Sequence, residues 1–263
     1  MRNKNFRAYS LLGNIALVNF NEDMKAKEKK VFAEKILKDN KSVVTVLEKV
    51  GKFKGHLRKI ETKVVAGENS KEVLYRENGC SFRFNVDTTY FSPRLSNERK
   101  EVAEMIKEQD SVFVCFAGVA PFSIVIAKNS KAKVVTNELN REANKYGKLN
   151  ALRNKVEDRM EFADGDFKKV AEKLKKQKKK FDVIVMPRPQ LKDSFLEDAF
   201  KLTKKGTRVY YYDFCSLEDR EKIVEMVQDE AKKSKKKIKI LKVKNAGEIA
   251  PYKVRLRVDF KVL

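Results

Sequence analysis

The chain is poor in the residues from which metal sites and disulfide frameworks are built. Its 263 residues include one histidine, three cysteines and no tryptophan. Cys80, Cys115 and Cys215 lie far apart and form no CxxC pair, so no structural zinc site or other metal centre is expected. Three cysteines without a pairing framework are typical of a reducing compartment, which predicts a cytoplasmic protein.

Long apolar runs are absent as well. No N-terminal segment has the form of a signal peptide, and no run of apolar residues is long enough to span a bilayer. We therefore expect no association with a membrane. A length of 263 residues leaves room for one large domain or two modest ones.

Negative charge is scarce relative to positive charge. There are 60 lysines and arginines against 37 aspartates and glutamates, which gives a formal net charge of +23. Such an excess favours a nucleic-acid partner, because each phosphate that a lysine or arginine neutralises releases counterions. Two basic runs, residues 173–180 and 232–237, could follow a phosphate backbone, and either could instead be an ordinary solvated helix face.

The first third of the sequence has the pattern of a small α+β domain. LLGNIALVNF, IETKVVAG, EVLYRENG and CSFRFNV read as strands, and Gly67 and Gly79 mark turns between them. Residues 29–47 predict a helix, at least over their first half, where Val31, Ile36 and Leu37 are apolar. We assign residues 1–88 to this domain and expect it to serve as an RNA-binding or accessory domain.

From about residue 89 helices and strands alternate. SVFVCF, AKVVTN, RMEFADGD, FDVIVM and TRVYYYDF predict strands, with helical patterns between them. This alternation indicates a parallel sheet, and the last two strands, KIKILKV and VRLRVDFKV, have no helix between them and predict an antiparallel pair. The predicted fold class is α/β, with a doubly wound, Rossmann-like domain over residues 89–263.

Three strand ends in this domain carry the groups that a nucleotide-derived cofactor such as S-adenosyl-L-methionine (AdoMet) needs. The turn after the first strand consists of Phe116, Ala117, Gly118 and Val119. Its backbone N–H groups can approach a ligand before Pro121 restarts the chain as a helix. Glu138 ends the second strand and can accept hydrogen bonds from ribose hydroxyls, and Asp164 and Asp166 follow the third strand, where a polar group contacts adenine.

Each acidic residue also has a simpler structural interpretation. Glu138 could stabilise the N-terminus of the next helix by its charge. Asp164 or Asp166 could cap the helix that follows the third strand. The order of the three features along the chain favours a cofactor site over any one of them taken alone.

Two further segments flank the predicted site. The fourth strand ends in Met186, Pro187, Arg188 and Pro189, where the prolines could stiffen a loop beside the cofactor or form a plain turn. Arg94 lies in an FSPR turn upstream of the first strand. An arginine near a guanine can hydrogen-bond O6 and stabilise the charge that develops as N1 loses its proton, although a phosphate-binding or structural role is an alternative.

In this order, YFSPRLSNER, CFAGVAPFS, NELN and DVIVMPRP resemble the motifs of the archaeal and eukaryotic tRNA (guanine-37-N1)-methyltransferases, including the archaeal branch that acts in wyosine synthesis. LLGNIALVNF and the segment ending in TTYFSPRL resemble the family's middle domain, and IAPYKVRLRVDFKV extends the resemblance almost to the end of the chain. Many members of this family carry an extra small domain before the middle domain, and we expect this chain to lack it.

The resemblance implies a class I AdoMet methyltransferase domain that methylates N1 of guanosine 37 in tRNA and, in the wyosine branch, the tricyclic intermediate (imG-14 to imG2). Arg94 matches the family's catalytic arginine. The residues expected to bind the cofactor are Phe116, Ala117, Gly118, Val119, Phe122, Glu138, Asp164, Asp166 and Met186. The residues expected to bind the substrate are Tyr90, Ser92, Arg94, Pro187, Arg188 and Pro189. A monomer that holds the anticodon arm of tRNA is expected.

Three positions depart from the family's motifs. Ala120 replaces a glycine, and Val114 replaces an acid two residues before FAG, which would reshape binding of the methionine part of AdoMet. Pro187 stands where an asparagine is expected to hold the target base, which is compatible with a changed or broadened substrate. The alternatives are an AdoMet-dependent aminocarboxypropyl transferase of wyosine synthesis, a non-catalytic tRNA-binding module, and a methyltransferase that acts on rRNA or protein.

Overall fold

The computed structural model describes residues 9–54, 59–188 and 190–263, and its packing divides the chain into two compact units. The first unit extends to Pro93, and the second runs from Arg94 to Leu263. The functional division that the sequence suggests after residue 88 stays a prediction. No helix in the described ranges is long and apolar enough to cross a membrane.

The first unit combines a four-stranded sheet, a hairpin and a helix. Its elements are β1 (Tyr9–Leu12), β2 (Ile15–Val18), α1 (Ala26–Asp39), β3 (Thr45–Lys54), β4 (Lys59–Gly67), β5 (Glu72–Glu77) and β6 (Cys80–Asn85). Strands β1 to β4 pair in that order, with β2 and β3 parallel and the other neighbours antiparallel. Strands β5 and β6 form a separate antiparallel pair.

Helix α1 is shorter than the sequence indicates. It ends at Asp39, and the prediction of a helix to residue 47 was wrong at this end because Thr45 begins strand β3. The backbone N–H and the side-chain amide of Asn40 both donate to the carbonyl of Ile36 and close the last turn. The β-branched residues that follow favour a strand, and Val46 fills the core beneath the helix.

The second unit contains the alternating elements that the sequence predicts. Its strands are β7 (Ser111–Val114), β8 (Lys133–Glu138), β9 (Met160–Asp164), β10 (Phe181–Met186), β11 (Thr203–Ser216), β12 (Ile238–Ala250) and β13 (Lys253–Val262). Its helices are α2 (Ser96–Glu104), α3 (Pro121–Ser130), α4 (Arg141–Asn154), α5 (Phe167–Lys176), α6 (Leu196–Phe200) and α7 (Arg220–Lys233).

These strands form one sheet in the order β12-β13-β11-β10-β7-β8-β9. Strands β7 to β11 are parallel, whereas β13 pairs antiparallel with both β11 and β12. This arrangement confirms the α/β fold class and the antiparallel closing pair. The strand order reverses at β7, because the chain continues to β8 and β9 on one side and to β10 and β11 on the other. Such a switch point is where α/β sheets bind their ligands, beyond the carboxyl ends of the strands.

A buried ion-pair network fastens helix α2 to strand β13. The guanidinium of Arg257 donates to Glu98 Oε2 at 2.7 Å, to Glu101 Oε1 at 2.7 Å and to Asp259 Oδ1 at 2.8 Å. Burial alone would raise the pKa of Glu101, but its hydrogen bonds to Lys244 and Arg257 lower that pKa to about 2. The Arg257 side chain is wholly buried, so its charge depends on these carboxylates rather than on water.

Candidate functional site

The turn after strand β7 is unusually tight. Its backbone enters the left-handed region at Phe116 (φ 55°), at Gly118 (φ 58°) and again at Ala120 (φ 65°). The N–H of Ala117 donates to the carbonyl of Asn137 at 2.8 Å, which holds the turn against the end of strand β8. Helix α3 begins at Pro121 directly afterwards, so the turn and the helix N-terminus lie at the switch point.

The side chain of Glu138, the last residue of strand β8, forms a hydrogen bond to the turn that follows strand β7. Its Oε2 accepts a hydrogen bond from the N–H of Gly118 at 2.7 Å, and its Oε1 accepts one from the N–H of Asn140 at 2.7 Å. Burial raises the pKa of Glu138, and these backbone hydrogen bonds oppose the rise. A carboxylate has about four acceptor positions, so the group keeps capacity for a ligand hydroxyl beside its backbone hydrogen bonds from Gly118, Asn140 and Leu139. The structure thus brings Gly118 and Glu138 together, as expected for a ribose-binding acid beside the cofactor turn.

The two aspartates after strand β9 have different surroundings. Asp166 is the N-cap of helix α5 and accepts a hydrogen bond from the N–H of Lys169 at 3.2 Å, which is the capping role that the sequence left open. Asp164 is exposed, and its carboxylate lies 2.7 Å from the ammonium of Lys148. The N–H of Gly165, between them, donates to the carbonyl of Glu138. A contact of either aspartate with a cofactor stays a prediction.

The segment after strand β10 is held from inside the unit. Met186 is fully buried at the strand end, Pro187 is half-buried, and Pro189 lies outside the described residues. The guanidinium of Arg188 is buried and donates to the carbonyls of Leu191 at 2.8 Å and of Asp193 at 3.1 Å. These hydrogen bonds hold Leu191 and Asp193 close to Arg188, at the start of the loop.

Arg188 also reaches strand β11. Its Nε donates to the hydroxyl of Tyr211 at 2.9 Å, and its Nη2 forms an ion pair with Asp213. Every nitrogen of this guanidinium is therefore engaged within the unit, so the side chain shapes the loop in this structure, and its predicted contact with substrate stays a prediction. The sequence analysis missed Tyr211 and Asp213, although their spacing of two residues places both on one face of a strand.

Arg94 is exposed at the start of the second unit. It lies in a short 3-10 turn, Pro93–Leu95, immediately before helix α2. Its Nη1 is 3.5 Å from the carbonyl of Glu248, at the outer limit of a hydrogen bond. Most of the guanidinium's donors are therefore available to a ligand.

Helix α2 places Arg94 at the same edge of the sheet as the cofactor turn. One turn into the helix, the guanidinium of Arg99 lies 5.8 Å from the ring centre of Phe122, the second residue of helix α3. The hydroxyl of Tyr212 donates to Glu98 at 3.1 Å, and the rings of Tyr212 and Phe122 are 5.8 Å apart. Glu98 and Arg99 thus lock the start of α2 to the start of α3, a coupling that sequence reasoning did not identify.

Tyr90 and Ser92 belong to the first unit and are half-buried there. Phe91, between them, stacks on Phe84 with ring centres 4.8 Å apart and contacts Tyr75 at 4.9 Å. The hairpin of β5 and β6 therefore fixes the backbone on either side of this ring. The expected roles of Tyr90 and Ser92 in substrate binding stay predictions.

Ala120 stands where the family has a glycine, and its backbone is in the left-handed region. The effect of this conformation on the free energy of unfolding can be measured. An L-residue pays about 1 kcal/mol in this conformation, so we expect Ala120→Gly to raise the free energy of unfolding by up to about 1 kcal/mol. The control is Ala127→Gly in the interior of helix α3, which should lower that free energy by about 1 kcal/mol or more. Urea unfolding measures the free energy of unfolding of both variants. A decrease in both variants would contradict the argument from the backbone conformation of Ala120.

The two basic runs meet in space. A cavity of about 600 Å³ near the amino end of strand β10 is lined by five lysines: Lys175, Lys180, Lys201, Lys233 and Lys236. Desolvation and the charges of Lys236 and Lys175 lower the pKa of Lys180. Glu197 and Glu230 also line the cavity, so part of this charge is already balanced: Lys233 is paired with Glu230, and Lys201 is paired with Glu172 and Asp198.

The cysteines and acidic residues do not converge on a metal site. In the described part of the chain, no three His, Cys, Asp or Glu side chains are placed to hold a metal ion. Cys80, Cys115 and Cys215 form no disulfide with one another, and full burial raises the pKa of the Cys115 thiol. His56 lies outside the described residues.

Comparisons with known proteins agree with this geometry. Residues 73–241 match the TRM5/TYW2 methyltransferase domain, and residues 1–70 match the TYW2 N-terminal domain. The Pyrococcus abyssi protein named tRNA (guanine(37)-N(1))-methyltransferase Trm5b is 33% identical over 97% of this chain and 74% of its own length. The Nanoarchaeum equitans protein named tRNA (guanine(37)-N(1))/4-demethylwyosine(37)-methyltransferase Taw22 is 30% identical over 97% of this chain and 100% of its own length.

Solved structures show the same likeness. The crystal structure of Trm5b from Pyrococcus abyssi superposes with a TM-score of 0.84 at 32% identity, over 97% of this chain and 74% of that one. A complex of aTrm5 with tRNALeu superposes with a TM-score of 0.84 at 25% identity, over 98% of this chain and 73% of that one. Two domain matches in sequence order, together with these relatives, confirm the resemblance seen in the motifs: the chain belongs to the TRM5/TYW2 methyltransferase family.

Proposed function

We propose that this protein transfers the methyl group of AdoMet to N1 of guanosine 37 in tRNA. The observation that carries the proposal is the junction of the Gly118 N–H and the Glu138 carboxylate at the switch point of the sheet, with Arg94 exposed at the same edge. Family membership and the names of the two relatives described above support the reaction and the substrate.

The residues at this edge fit AdoMet. Glu138 has acceptor capacity for ribose hydroxyls, and the turn at Gly118 presents backbone without a side chain to the carboxypropyl end. Asp164 lies at the end of the third strand, where the adenine edge is expected, and Met186 ends the strand beside β7. When bound, the cofactor supplies an electrophilic methyl group on a sulfonium.

Arg94 has the chemistry to stabilise the reacting guanine. Negative charge builds on O6 as N1 gives up its proton to a base, and this charge falls again as N1 bonds to the methyl carbon and the bond from that carbon to sulfur breaks. A guanidinium that donates to O6 stabilises this charge in the transition state more than in the ground state. Arg94 has donors available for this task because its contact with Glu248 is long and its side chain is exposed.

The anticodon arm of tRNA is the partner that the charge and the family favour. The formal net charge of +23 supports sequence-independent phosphate contacts. Among the similar solved structures, aTrm5 is bound to tRNALeu. We further propose that the enzyme works as a monomer in the cytoplasm, where three cysteines that form no disulfide stay reduced.

The proline at position 187 favours a second substrate, the tricyclic wyosine intermediate. Pro187 provides no side-chain amide where an asparagine is expected to hold the target base, so the pocket is less specific for the guanine edge. The relative from Nanoarchaeum equitans carries both a guanine-37 and a 4-demethylwyosine-37 activity in its name. Methylation of the tricyclic wyosine intermediate is therefore the second candidate activity.

Glu138→Gln tests the cofactor site. Glutamine keeps one acceptor but brings an NH₂ group toward the N–H groups of Gly118 or Asn140, and we expect AdoMet affinity to fall roughly 10- to 100-fold. The matched control is Glu161→Gln, which neutralises an exposed carboxylate paired with Lys179. Calorimetry with AdoMet measures both variants, and equal affinities would remove Glu138 from the site.

The alternative functions separate in one labelling experiment. AdoMet labelled either in the methyl group or in the aminocarboxypropyl group is incubated with the protein and an unmodified tRNA transcript. We expect only the methyl label in the tRNA. Transfer of the other label would establish an aminocarboxypropyl transferase, and tRNA binding with no transfer of either label would establish a binding module.

A further inference from the structure

The tip of the β12–β13 hairpin presents an aromatic ring to solvent. Tyr252 is 80% exposed, the highest exposed fraction among the large hydrophobic residues in the described ranges. Its backbone is held in the left-handed conformation (φ 61°), and its carbonyl accepts a hydrogen bond from the N–H of Leu217 at 3.0 Å. The ring therefore projects from an anchored backbone rather than from a loose end.

This tip lies at the carboxyl edge of the parallel strands. Lys253 pairs with Ser216, the last residue of strand β11, so the hairpin turn extends beyond the edge at which the cofactor turn also lies. Glu248, four residues before Tyr252, is the residue whose carbonyl faces Arg94. The same hairpin thus carries the exposed ring and contacts the arginine proposed to act on the target base.

The surroundings of Tyr252 suit a nucleic acid. Lys253 is exposed next to it, and the guanidinium of Arg255 lies 5.0 Å from the ring centre of Phe214. Ile249, on the other side of the turn, is 41% exposed. An aromatic face with cationic neighbours is the combination that binds bases by stacking and phosphates by charge.

We infer that Tyr252 is a stacking platform for a base that flanks the target nucleotide in the RNA loop, an inference that rests on the proposed function. Bases in RNA loops can be splayed out of the stack, and a guanine that is splayed out for methylation at N1 exposes the faces of its neighbours. A ring fixed beside the reaction edge covers one of these faces and holds the loop open. Tyr252 is a positioning residue, because the stacked base is not the one that reacts.

The test uses an anticodon stem-loop RNA with 2-aminopurine at position 36 or 38, whose fluorescence changes when the base stacks. Tyr252→Ala is expected to weaken binding of this RNA and to lower kcat/KM by roughly 10- to 100-fold, mainly through KM. Tyr252→Phe keeps the ring and should stay within about twofold of the wild type. Leu241→Ala, which removes an exposed apolar side chain (51% exposed) near the other end of β12, is the matched control.

The outcomes separate this inference from the proposed function. If the wild type methylates guanosine 37 and its fluorescence response is lost in Tyr252→Ala but kept in Tyr252→Phe, the platform is established. If Tyr252→Ala methylates and responds as the wild type does, the platform is overturned while the proposed function stands. If the wild type itself does not methylate guanosine 37, the proposed function fails. Unchanged AdoMet affinity in each variant shows that the fold and the cofactor site are intact.

Discussion

Arg94→Ala is expected to lower the rate of methyl transfer to guanosine 37 by about 10²- to 10³-fold, the loss typical of removing one donor to developing charge. The variant should fold normally, because the side chain is exposed and its one described contact, with the Glu248 carbonyl, is 3.5 Å long. Single-turnover kinetics with saturating AdoMet and tRNA measures the chemical step. Binding of AdoMet should stay unchanged.

Two controls sharpen this experiment. Arg94→Lys keeps the charge but loses the planar pair of donors, so it should recover part of the rate. Arg153→Ala removes an exposed arginine from the last turn of helix α4 and should leave the rate within about twofold if the effect is local. Turnover of Arg94→Ala near the wild-type rate would show that another group stabilises O6.

Arg257→Met is expected to lower the free energy of unfolding by about 3–5 kcal/mol, because it leaves buried Asp259 without its ion-pair partner and buried Glu98 with Lys244 as its remaining cation. Lys261→Met, which removes an exposed charge from the same strand, should cost less than about 0.5 kcal/mol. Urea unfolding followed by circular dichroism measures both variants. Equal losses would contradict a role for the network in holding helix α2.

A double variant separates the network from simple packing. Glu98→Gln alone removes one of the three carboxylates around Arg257 and leaves Glu101 and Asp259 in place, so we expect a smaller loss of unfolding free energy. The two substitutions together should cost less than the sum of their separate effects, because each removes a charge with which the other residue interacts. Additive losses would show that Glu98 and Arg257 do not act on one another.

The sequence was most informative where a local pattern decides the structure. The alternation of apolar strands and amphipathic helices predicted the parallel sheet, since each pattern is set by residues close in the chain. Strand ends then placed Gly118 and Glu138 at one edge, because parallel strands share their carboxyl edge. The end of helix α1 was misplaced because apolar residues before β3 fit both a helix and a strand until the pairing with β2 is known.

Long-range partners could not be predicted. Arg257 and Glu98 are 159 residues apart, and the sequence around either residue does not indicate that the other is its ion-pair partner. Arg188 was assigned to substrate because it follows a strand at the reaction edge, whereas the structure buries it against Asp213 on the neighbouring strand. The two lysine runs could not be placed in one cavity either, because that depends on how helices α5 and α7 pack.

Methylation of guanosine 37 by this protein can be measured directly by nucleoside mass spectrometry. Unmodified tRNA transcripts with guanosine or adenosine at position 37 are incubated with AdoMet and the protein, and the nucleosides are then identified. We expect 1-methylguanosine from the guanosine transcript and no methylated product from the adenosine transcript. Absence of 1-methylguanosine would contradict the proposed function, and the same assay on tRNA carrying the tricyclic intermediate would show whether the methyl group goes there instead.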